Sequence, residues 1–155
     1  MAVTVSGLYV ANIIDVFDAT QLAIDLSLTS HKLALLSNAA TPNFSTDTAY
    51  SATNEVSGTG WAAGGVALSA AAAGGTSTAP TVTESPTGSL MYDMNDVAVA
   101  STTLTNARAV RLYADALAGD NLIVLINFAA DFSTNNGTLG IQWPSSGVFA
   151  IDLTP

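Results

Sequence analysis

The stretch Thr53–Leu68, TNEVSGTGWAAGGVAL, is the most distinctive local pattern in the chain. Two short strand-like runs, Glu55-Val56 and Val66-Ala67-Leu68, enclose a loop that combines one large aromatic residue, Trp61, with several glycines. Glycine adopts backbone angles that residues with a Cβ avoid, so it is used where a chain turns sharply or approaches another backbone closely. We expect this loop to cross between two sheets, with Trp61 buried in the core as its anchor. The glycines concerned are Gly58, Gly60, Gly64 and Gly65.

The composition predicts a single folded domain, 1–155, that functions within an assembly. Hydrophobic residues make up 49% of the 155 residues, which excludes a disordered chain. Charged residues make up only 10%, against about 25% in an average soluble domain. A free monomer normally covers its surface with charged side chains. We therefore interpret the deficit as a sign that neighbouring subunits cover much of this surface.

The few charges are mostly negative, and their balance excludes several classes of partner. Twelve acidic residues face only three basic ones, giving a formal net charge of −9. Nucleic acids and anionic membranes are both recognised by basic surfaces, so neither is an expected partner. The longest low-polarity run, Trp61–Gly75, is too short and too weakly apolar to span a membrane. Arg108 and Arg111 are expected to form ion pairs with carboxylates, within the subunit or across an interface.

The first half of the chain contains the only helical pattern. Val10, Ile13, Ile14 and Phe17 recur with helical spacing and predict a helix over 7–18 that buries this apolar face. The opposite, solvent-facing side would carry Asn12, Asp15 and Asp18, and Ser6 could cap the helix. Alternating apolar residues predict strands elsewhere, and a polar composition predicts a loop. The predicted strands are 2–5, 21–28 and 31–36, and the predicted loop is 37–52.

The second half consists mainly of predicted strands joined by turns. Residues 69–89 are rich in Ala, Thr and Pro and predict a long irregular connection, either a mobile surface loop or an arm on a neighbouring subunit. A change of apolar parity near residue 96 predicts a bulge or break. Strands with turns at this spacing, and one helix, predict a mainly antiparallel β-sandwich. The strands are 90–95, 97–99, 108–113, 122–128, 138–143 and 148–153, and the hairpin-type turns are 118–121, 133–137 and 144–147.

No catalytic, cofactor-binding or metal-binding constellation is predicted, so we do not expect an enzyme. His31, the single histidine, has no nucleophile or second histidine near it and is expected to be structural or solvent-facing. Asp93 and Asp96 would point to opposite faces of a strand, which disfavours joint acid–base catalysis. The run 131–137 loosely resembles a calcium loop but lacks the closing bidentate glutamate. It also lies where a turn is needed in any case.

Two segments carry a resemblance to a known group of proteins. They are EVSGTGWAAGG, residues 55–65, and NGTLGIQWPSSGVF, residues 136–149, with ARAVRLY, residues 107–113, between them. This order resembles a group of small virion proteins of tailed bacteriophages, whose usual wording is EVSGTGYTAGG, ARYAVIY and NGxFxIxWxxxGIF. The resemblance covers roughly 20–68 and 90–153. The chain departs from it in having Trp61 where the group often has tyrosine, and in the insert 69–89.

The resemblance implies a structural component of a virion. We expect a non-enzymatic capsid decoration (cement) protein on the outer surface of an icosahedral head, made in the host cytoplasm. Its partners would be the major capsid protein and other copies of itself, as a homo-oligomer and most simply a trimer. One alternative is a tail, neck or baseplate component. Another is a host-surface module that binds glycans, for which exposed aromatic side chains are required; the residues to inspect are Tyr9, Tyr50, Trp61, Tyr92 and Trp143.

Overall fold

A computed structural model describes residues 3–17 and 23–154, without the side chains of Asp15 and Phe17. The described chain is mainly β, with one short helix and two antiparallel sheets, so the predicted fold class is confirmed. In chain order the elements are β1 (Gly7–Leu8), α1 (Val10–Phe17), β2 (Lys32–Leu36), β3 (Glu55–Val56), β4 (Val66–Ala67), β5 (Thr81–Glu84), β6 (Ser89–Asp93), β7 (Val97–Ala114), β8 (Asn121–Ile141) and β9 (Phe149–Asp152).

The two sheets differ in size and in how much of their surface they bury. The larger has the strand order β1-β8-β7-β2-β3, with β4 also paired to β2. The smaller has the order β5-β6-β9. Along β2 the side chains alternate between two cores: Leu33 and Leu35 join one, while Ala34 and Leu36 join the other. The larger sheet is therefore covered on both faces, which explains why β2 is a nearly continuous apolar run.

The first core lies between the two sheets, and the second lies under the N-terminal segment. Tyr92 from β6 belongs to the first core together with Leu35 and Leu112 from the larger sheet. Val3 and Tyr9 belong to the second core, with Leu125 from β8 beneath them. The loop predicted over 37–52 contributes Phe44 and Tyr50 to this second core, which fixes the loop on the sheet. The buried aromatic candidate residues therefore lie in one of these two cores.

β7 and β8 form one long hairpin that contains several of the predicted strands. The predicted segments 108–113 and 122–128 pair with each other around the expected turn at 118–121. The turn predicted at 133–137 is wrong, because these residues lie within β8. Several register shifts interrupt the pairing between Val99 and Ala109, and Asn136 on the partner strand has a φ of 47°. Turn-type residues serve here to form bulges instead of a reversal of the chain.

The predicted break near residue 96 is confirmed, and it moves the chain from one sheet to the other. β6 ends at Asp93 in the smaller sheet, and β7 begins at Val97 in the larger. The turn at 144–147 forms, but it is not a hairpin turn. It connects β8 in the larger sheet with β9 in the smaller one, and these strands do not pair. The strand predicted over 148–153 corresponds to β9.

Two strands predicted near the N-terminus are wrong. Within 2–5, residues 3–5 have no strand structure, and residue 2 lies outside the described part. Within 21–28, residues 23–28 form a turn, in which the Ser27 backbone N–H donates to the Asp25 Oδ1 at 3.0 Å. Asp and Ser favour such local side-chain bonds over a sheet ladder. Residues 21 and 22 lie outside the described part.

The helix is shorter than predicted, because its first residues pair with the larger sheet. Gly7 and Leu8 form β1 opposite Leu125 and Val124, so α1 begins at Val10 and not at residue 7. The expected cap is also wrong: the Ser6 Oγ accepts a hydrogen bond from the Asn127 backbone N–H at 2.8 Å, which ties it to β8. Asp18 lies outside the described residues.

The predicted orientation of the helix is wrong as well. Asn12 is fully buried, while Val10 and Ile14 are 49% and 54% exposed. The reason is that the Asn12 amide finds two acceptors beneath the helix. The Asn12 Nδ2 donates to Thr48 O and to Leu122 O, each at 2.7 Å, and Thr48 O also accepts from the Leu122 N–H at 3.0 Å. These hydrogen bonds compensate the burial of the amide, so the polar residue faces inward and the aliphatic residues face outward.

The insert 69–89 is more ordered than predicted. It contains a 3-10 turn at Ala73–Gly75 and the strand β5, and another 3-10 turn, Leu68–Ala70, overlaps its start. Ala71 and Thr78 are fully buried, and the small alanine side chain allows close packing in the core between the sheets. The description as an irregular connection is therefore corrected. Thr81–Glu84 pairs with β6 along one side only, and all four of its side chains are exposed.

Replacing Asn12 tests the inverted helix. Asn12→Ala removes two donors from carbonyls beneath the helix, and we expect it to lower the free energy of unfolding by about 2 kcal/mol. Ile14→Ser on the exposed side of the same helix should change it by less than about 0.5 kcal/mol. Urea unfolding followed by circular dichroism measures both. A larger loss for Ile14→Ser than for Asn12→Ala would contradict the orientation.

Candidate functional site

The glycine-rich loop leaves the edge of the larger sheet and returns to the same edge. β3 pairs with Leu35 and Leu36, and β4 pairs with Lys32 and Leu33, all on the side of β2 that β7 leaves free. Residues 57–65, here called the glycine excursion, therefore interrupt what is otherwise one edge strand. The expectation that these glycines cross between sheets is wrong, because both ends of the excursion pair with β2.

Gly58 and Gly60 allow the excursion to approach β7. A Cβ at Gly58 would lie 2.2 Å from the Thr103 carbonyl oxygen, a distance that no side chain tolerates. Gly58 and Trp61 exchange backbone hydrogen bonds of 2.8 and 3.1 Å across a tight turn. Gly60 lies in this turn with a φ of 75°, a conformation that glycine adopts without strain. The Thr103 backbone N–H then donates to Thr59 O at 3.0 Å, which fixes the turn on the hairpin.

Gly64 and Gly65 bring the chain back to β2. Both have positive φ, 85° and 84°, but their surroundings differ. A Cβ at Gly65 would lie 2.1 Å from the Leu33 carbonyl oxygen, whereas at Gly64 the nearest atom is the Tyr113 hydroxyl at 3.9 Å. Gly64 is instead held by polar contacts: its N–H donates to Glu55 Oε1 at 2.8 Å, and its carbonyl accepts from the Tyr113 hydroxyl at 2.6 Å.

Trp61 is carried by the excursion into the core between the sheets. Its side chain is 0% exposed and belongs to the cluster that contains Leu35 of the larger sheet and Tyr92 of the smaller. The burial expected of this residue is thus observed. Its indole N–H has no acceptor among residues 3–17 and 23–154. A ring of this size buries about 200 Å² of surface, which makes it a main stabilising contact of the excursion.

A polar and aromatic cluster surrounds the return of the excursion. Tyr50 stacks on Tyr113 with a centroid distance of 4.6 Å, and the Tyr50 hydroxyl donates to Glu55 Oε2 at 2.6 Å. Burial and the Glu55 carboxylate together raise the pKa of Tyr50 to about 12. At neutral pH these tyrosines are therefore hydrogen-bond donors, which suits a structural role.

The two arginines have different environments. Arg108 forms an ion pair with Asp131 at 3.2 Å within the subunit, and its Nε also donates to Asn38 Oδ1 at 3.0 Å. Arg111 is only 6% exposed, and no carboxylate of the described residues lies within 4 Å of it. Its Nη2 donates instead to Ser51 O at 2.7 Å. The structure thus places an ion pair at Arg108 but none at Arg111 in the described part of the chain.

His31 is a buried residue, so the solvent-facing alternative is wrong. Its side chain is 1% exposed, and its Nε2 lies 2.7 Å from Asp25 O, to which it donates. Its Nδ1 has no partner among the described residues. Burial lowers the pKa of His31 below its ordinary value, because a second proton on Nδ1 would place a charge in an apolar setting.

The carboxylates considered as catalytic or calcium-binding groups bind backbone or arginine instead. The Asp93 Oδ1 accepts from the Met94 N–H at 2.8 Å, and the Asp96 Oδ1 accepts from the Trp143 N–H at 3.0 Å. Asp131 pairs with Arg108 and lies in a strand, not in a loop. Within the ranges that the structure describes, no three potential metal-ligating side chains of His, Cys, Asp or Glu come together.

Two features were not predicted from the sequence. The first is the exposed aliphatic side of α1, and the second is a cavity beside Arg111, described below. The helical spacing of Val10 and Ile14 was visible, but a period alone does not say which face is covered. In the described residues, no helix is both long and apolar enough to cross a bilayer.

Comparison with known proteins identifies no relative: no family model matches the chain, and no curated protein or solved structure is similar to it.

Alanine substitutions at Gly64 and Gly65 separate the cost of a steric clash with a neighbouring carbonyl from the cost of a positive φ. Both substitutions cost about 1 kcal/mol, because both positions have positive φ. Gly65→Ala also forces its Cβ against the Leu33 carbonyl, so we expect a total loss of about 3 kcal/mol or more in the free energy of unfolding. Gly64→Ala is the matched control. Equal losses for the two variants, measured by urea unfolding, would contradict the close approach.

The buried His31 predicts a loss of stability below pH 6.5. The unfolded chain takes up a proton near 6.5 and the folded chain only at lower pH, so stability is complete above 6.5 and falls as the pH decreases below it. The free energy of unfolding should fall by at most about 1.4 kcal/mol for each unit of pH. Since this is the single histidine, His31→Gln should show a flat profile between pH 5 and 6.5. Urea unfolding across this window tests it, and an equally flat wild-type profile would refute it.

Proposed function

We propose that this chain is a non-enzymatic structural protein of a tailed-phage virion, and specifically a capsid decoration protein. It would bind the outer surface of the head through contacts with the major capsid protein and with other copies of itself, most simply as a trimer. Its mechanism is cohesion: neutral and apolar surface is buried across the boundaries between capsid subunits. Such burial contributes about 25 cal/mol per Å² before the costs of association.

The observation that carries the proposal is the exposed aliphatic side of α1. Val10 and Ile14 lie one turn apart on the helix, and each is about half exposed. The buried position on the same helix is occupied by the polar Asn12. Val5, just before the helix, is 55% exposed. A surface that keeps aliphatic side chains outward and a polar one inward suits contact with another protein.

The charge composition supports the same proposal. Two of the three cations, Lys32 and Arg108, form ion pairs with acids of the same chain, so they are not available for nucleic acid. The remaining exposed surface is mainly Ala, Ser, Thr, Gly and Asn. Covering neutral side chains costs less solvation than covering charged ones, which favours a protein that is packed among neighbours.

A glycan-binding module has less support. None of the five aromatic side chains considered for it is exposed: Tyr9, Trp61 and Tyr92 are buried, and Tyr50 and Trp143 are half-buried. Phe132, at 49% exposure, is the exposed aromatic residue of the described chain. A sugar platform needs the face of a ring open to solvent. No observation favours a tail, neck or baseplate position over the head, so that alternative is an outcome of the experiment below.

The experiment uses heads of the encoding phage from which this chain has been removed. We expect the wild-type chain to rebind in a cosedimentation assay and to raise the melting temperature of the heads. The double variant Val10→Ser/Ile14→Ser should bind about tenfold more weakly, because two half-exposed aliphatic side chains no longer become buried. Val82→Ser, at a 41% exposed position of the smaller sheet, is the matched control.

Two outcomes would overturn the proposal. The first is heads whose melting temperature is the same with and without this chain. The second is a labelled copy that negative-stain microscopy locates on the tail instead of the head, which would establish the alternative. Urea unfolding of the double variant shows whether it has kept its fold, so that weaker binding is not confused with unfolding.

A further inference from the structure

Arg111 is the exception among the cations of the chain. Lys32 and Arg108 are partly exposed, and each lies close to a carboxylate, at 3.0 and 3.2 Å. Arg111 is 94% buried, yet no carboxylate of the described residues lies within 4 Å of it. Buried charges are normally paired, since an isolated one loses its solvation without compensation. Among residues 3–17 and 23–154, whose described side chains exclude that of Asp15, this position therefore has no carboxylate to match its burial.

The neighbours of Arg111 satisfy only a part of its guanidinium group. Nη2 donates to Ser51 O, and the Tyr50 ring lies 5.7 Å from the guanidinium carbon. The Nε–H has no acceptor in the part of the chain that the structure describes. The buried Tyr9 hydroxyl also lacks a partner there; burial raises its pKa, and the positive charge of Arg111 opposes this rise. A guanidinium has five N–H donors, and the hydrogen bond to Ser51 O occupies one of them.

A cavity of about 390 Å³ opens beside Arg111. It lies on the face of the larger sheet that α1 covers, because Arg111 pairs across the sheet with Ala34 and Leu125 of the second core. Its described walls are polar but nearly free of charge, and Asp47 is the one acid among them. The hydroxyl and amide groups that line it belong to Thr41, Thr46, Thr48, Ser51, Thr53 and Asn54.

We propose that this cavity binds a carboxylate group, held by the Arg111 guanidinium and the surrounding hydroxyls. A carboxylate matches the fork of N–H donors of an arginine and would supply the negative charge that the described residues do not place within 4 Å of Arg111. The cavity holds many times the roughly 30 Å³ of one water molecule, enough for a small organic acid or an acidic side chain. The inference rests on the cavity alone and does not depend on the proposed function.

Asp47 sets the charge that the ligand can carry. Asp47 lies in the wall of the cavity but not within 4 Å of the guanidinium, so it repels an anion that Arg111 attracts, and the second charge of a dianion gains little in return for its additional desolvation. Phosphate and sulfate are therefore poor ligands. The carboxylate has two possible sources, a free small molecule or an acidic side chain of a second copy. The second source is abundant, since the exposed acids of each copy include Asp25, Glu84, Asp96, Asp131 and Asp152.

Nuclear magnetic resonance of the two arginines tests the site directly. The chain contains only Arg108 and Arg111, so a ¹⁵N-labelled sample gives two Nε–Hε signals, assigned with Arg108→Lys and Arg111→Lys. Sodium acetate should shift the Arg111 signal to saturation and leave the Arg108 signal in place. Sodium chloride and phosphate at equal ionic strength are the controls. The titration is made on the wild-type protein, and Arg108→Lys, at the partly exposed position, is enough to assign both signals if Arg111→Lys does not fold.

A dilution series distinguishes the two sources. If a second copy supplies the carboxylate, the Arg111 signal shifts with protein concentration in the absence of acetate, and sedimentation shows an association that acetate reverses. If the source is a free acid, acetate shifts the signal at every protein concentration and the chain stays monomeric. The proposal is overturned if the Arg111 signal moves in neither series, or if chloride or phosphate moves it as far as acetate does.

Asp47→Asn provides a second readout. Removing the acid leaves Arg111 as the only charged residue among the described walls of the cavity, so acetate should bind about two- to fivefold more tightly and phosphate should begin to shift the Arg111 signal. Asp96→Asn, at an exposed acid outside the cavity walls, is the matched control and should leave both titrations unchanged. An Asp47→Asn protein that binds acetate and phosphate as the wild type does would contradict the assigned role of Asp47.

Discussion

The close approach of the glycine excursion to β2 and β7 is the constraint on which the packing of this fold depends. At Gly58 and Gly65 the chain passes so near to neighbouring carbonyls that no side chain fits. These two contacts bring a nine-residue interruption of an edge strand over the sheet, so that Trp61 fills the core. Without them the indole would remain at the edge, and the smaller sheet would lose one of its largest packing partners.

The second core depends on a polar contact, whereas the first depends on the apolar ring of Trp61. Asn12 holds the helix to two carbonyls, one in the loop before β3 and one in β8, and thereby orients α1. The aliphatic residues that face outward as a result are the basis of the proposed function. Arg111, which has no carboxylate partner in the described part of the chain, belongs to the same face of the sheet. One side of the molecule therefore combines a fixed helix, an exposed apolar surface and a polar cavity.

The parts of the fold that were predicted correctly depend on local pattern. β2 is a continuous apolar run, the break near residue 96 changes the parity of apolar residues, and Asp120-Asn121 lies at a hairpin turn. The errors arise where the local structure depends on residues that are distant in the sequence. The inward position of Asn12 depends on a carbonyl 110 residues away, which helical spacing cannot show. The bulges of β8 use the residues of turns, so composition alone suggested a reversal at 133–137.

The candidate site was predicted unevenly for the same reason. The glycines and Trp61 stand out in the sequence, because their residue types have few uses. Their position in the fold could not be predicted, because it depends on the pairing of both β3 and β4 with β2, which the local sequence does not show. The cavity beside Arg111 is formed by a polar loop folded over β7, and neither segment alone indicates it.

The pairing of β1 with β8 also fixes the order in which the chain can fold. Gly7 and Leu8 find their partners only at Leu125 and Val124, well over a hundred residues later. During synthesis the β5–β6 and β7–β8 hairpins can each form from partners close in sequence, whereas the N-terminal segment must wait for β8. Contacts of such long range slow folding. The helix that offers the exposed apolar surface is thus among the last parts to settle, so a nascent chain cannot present that surface before the sheet beneath it is complete.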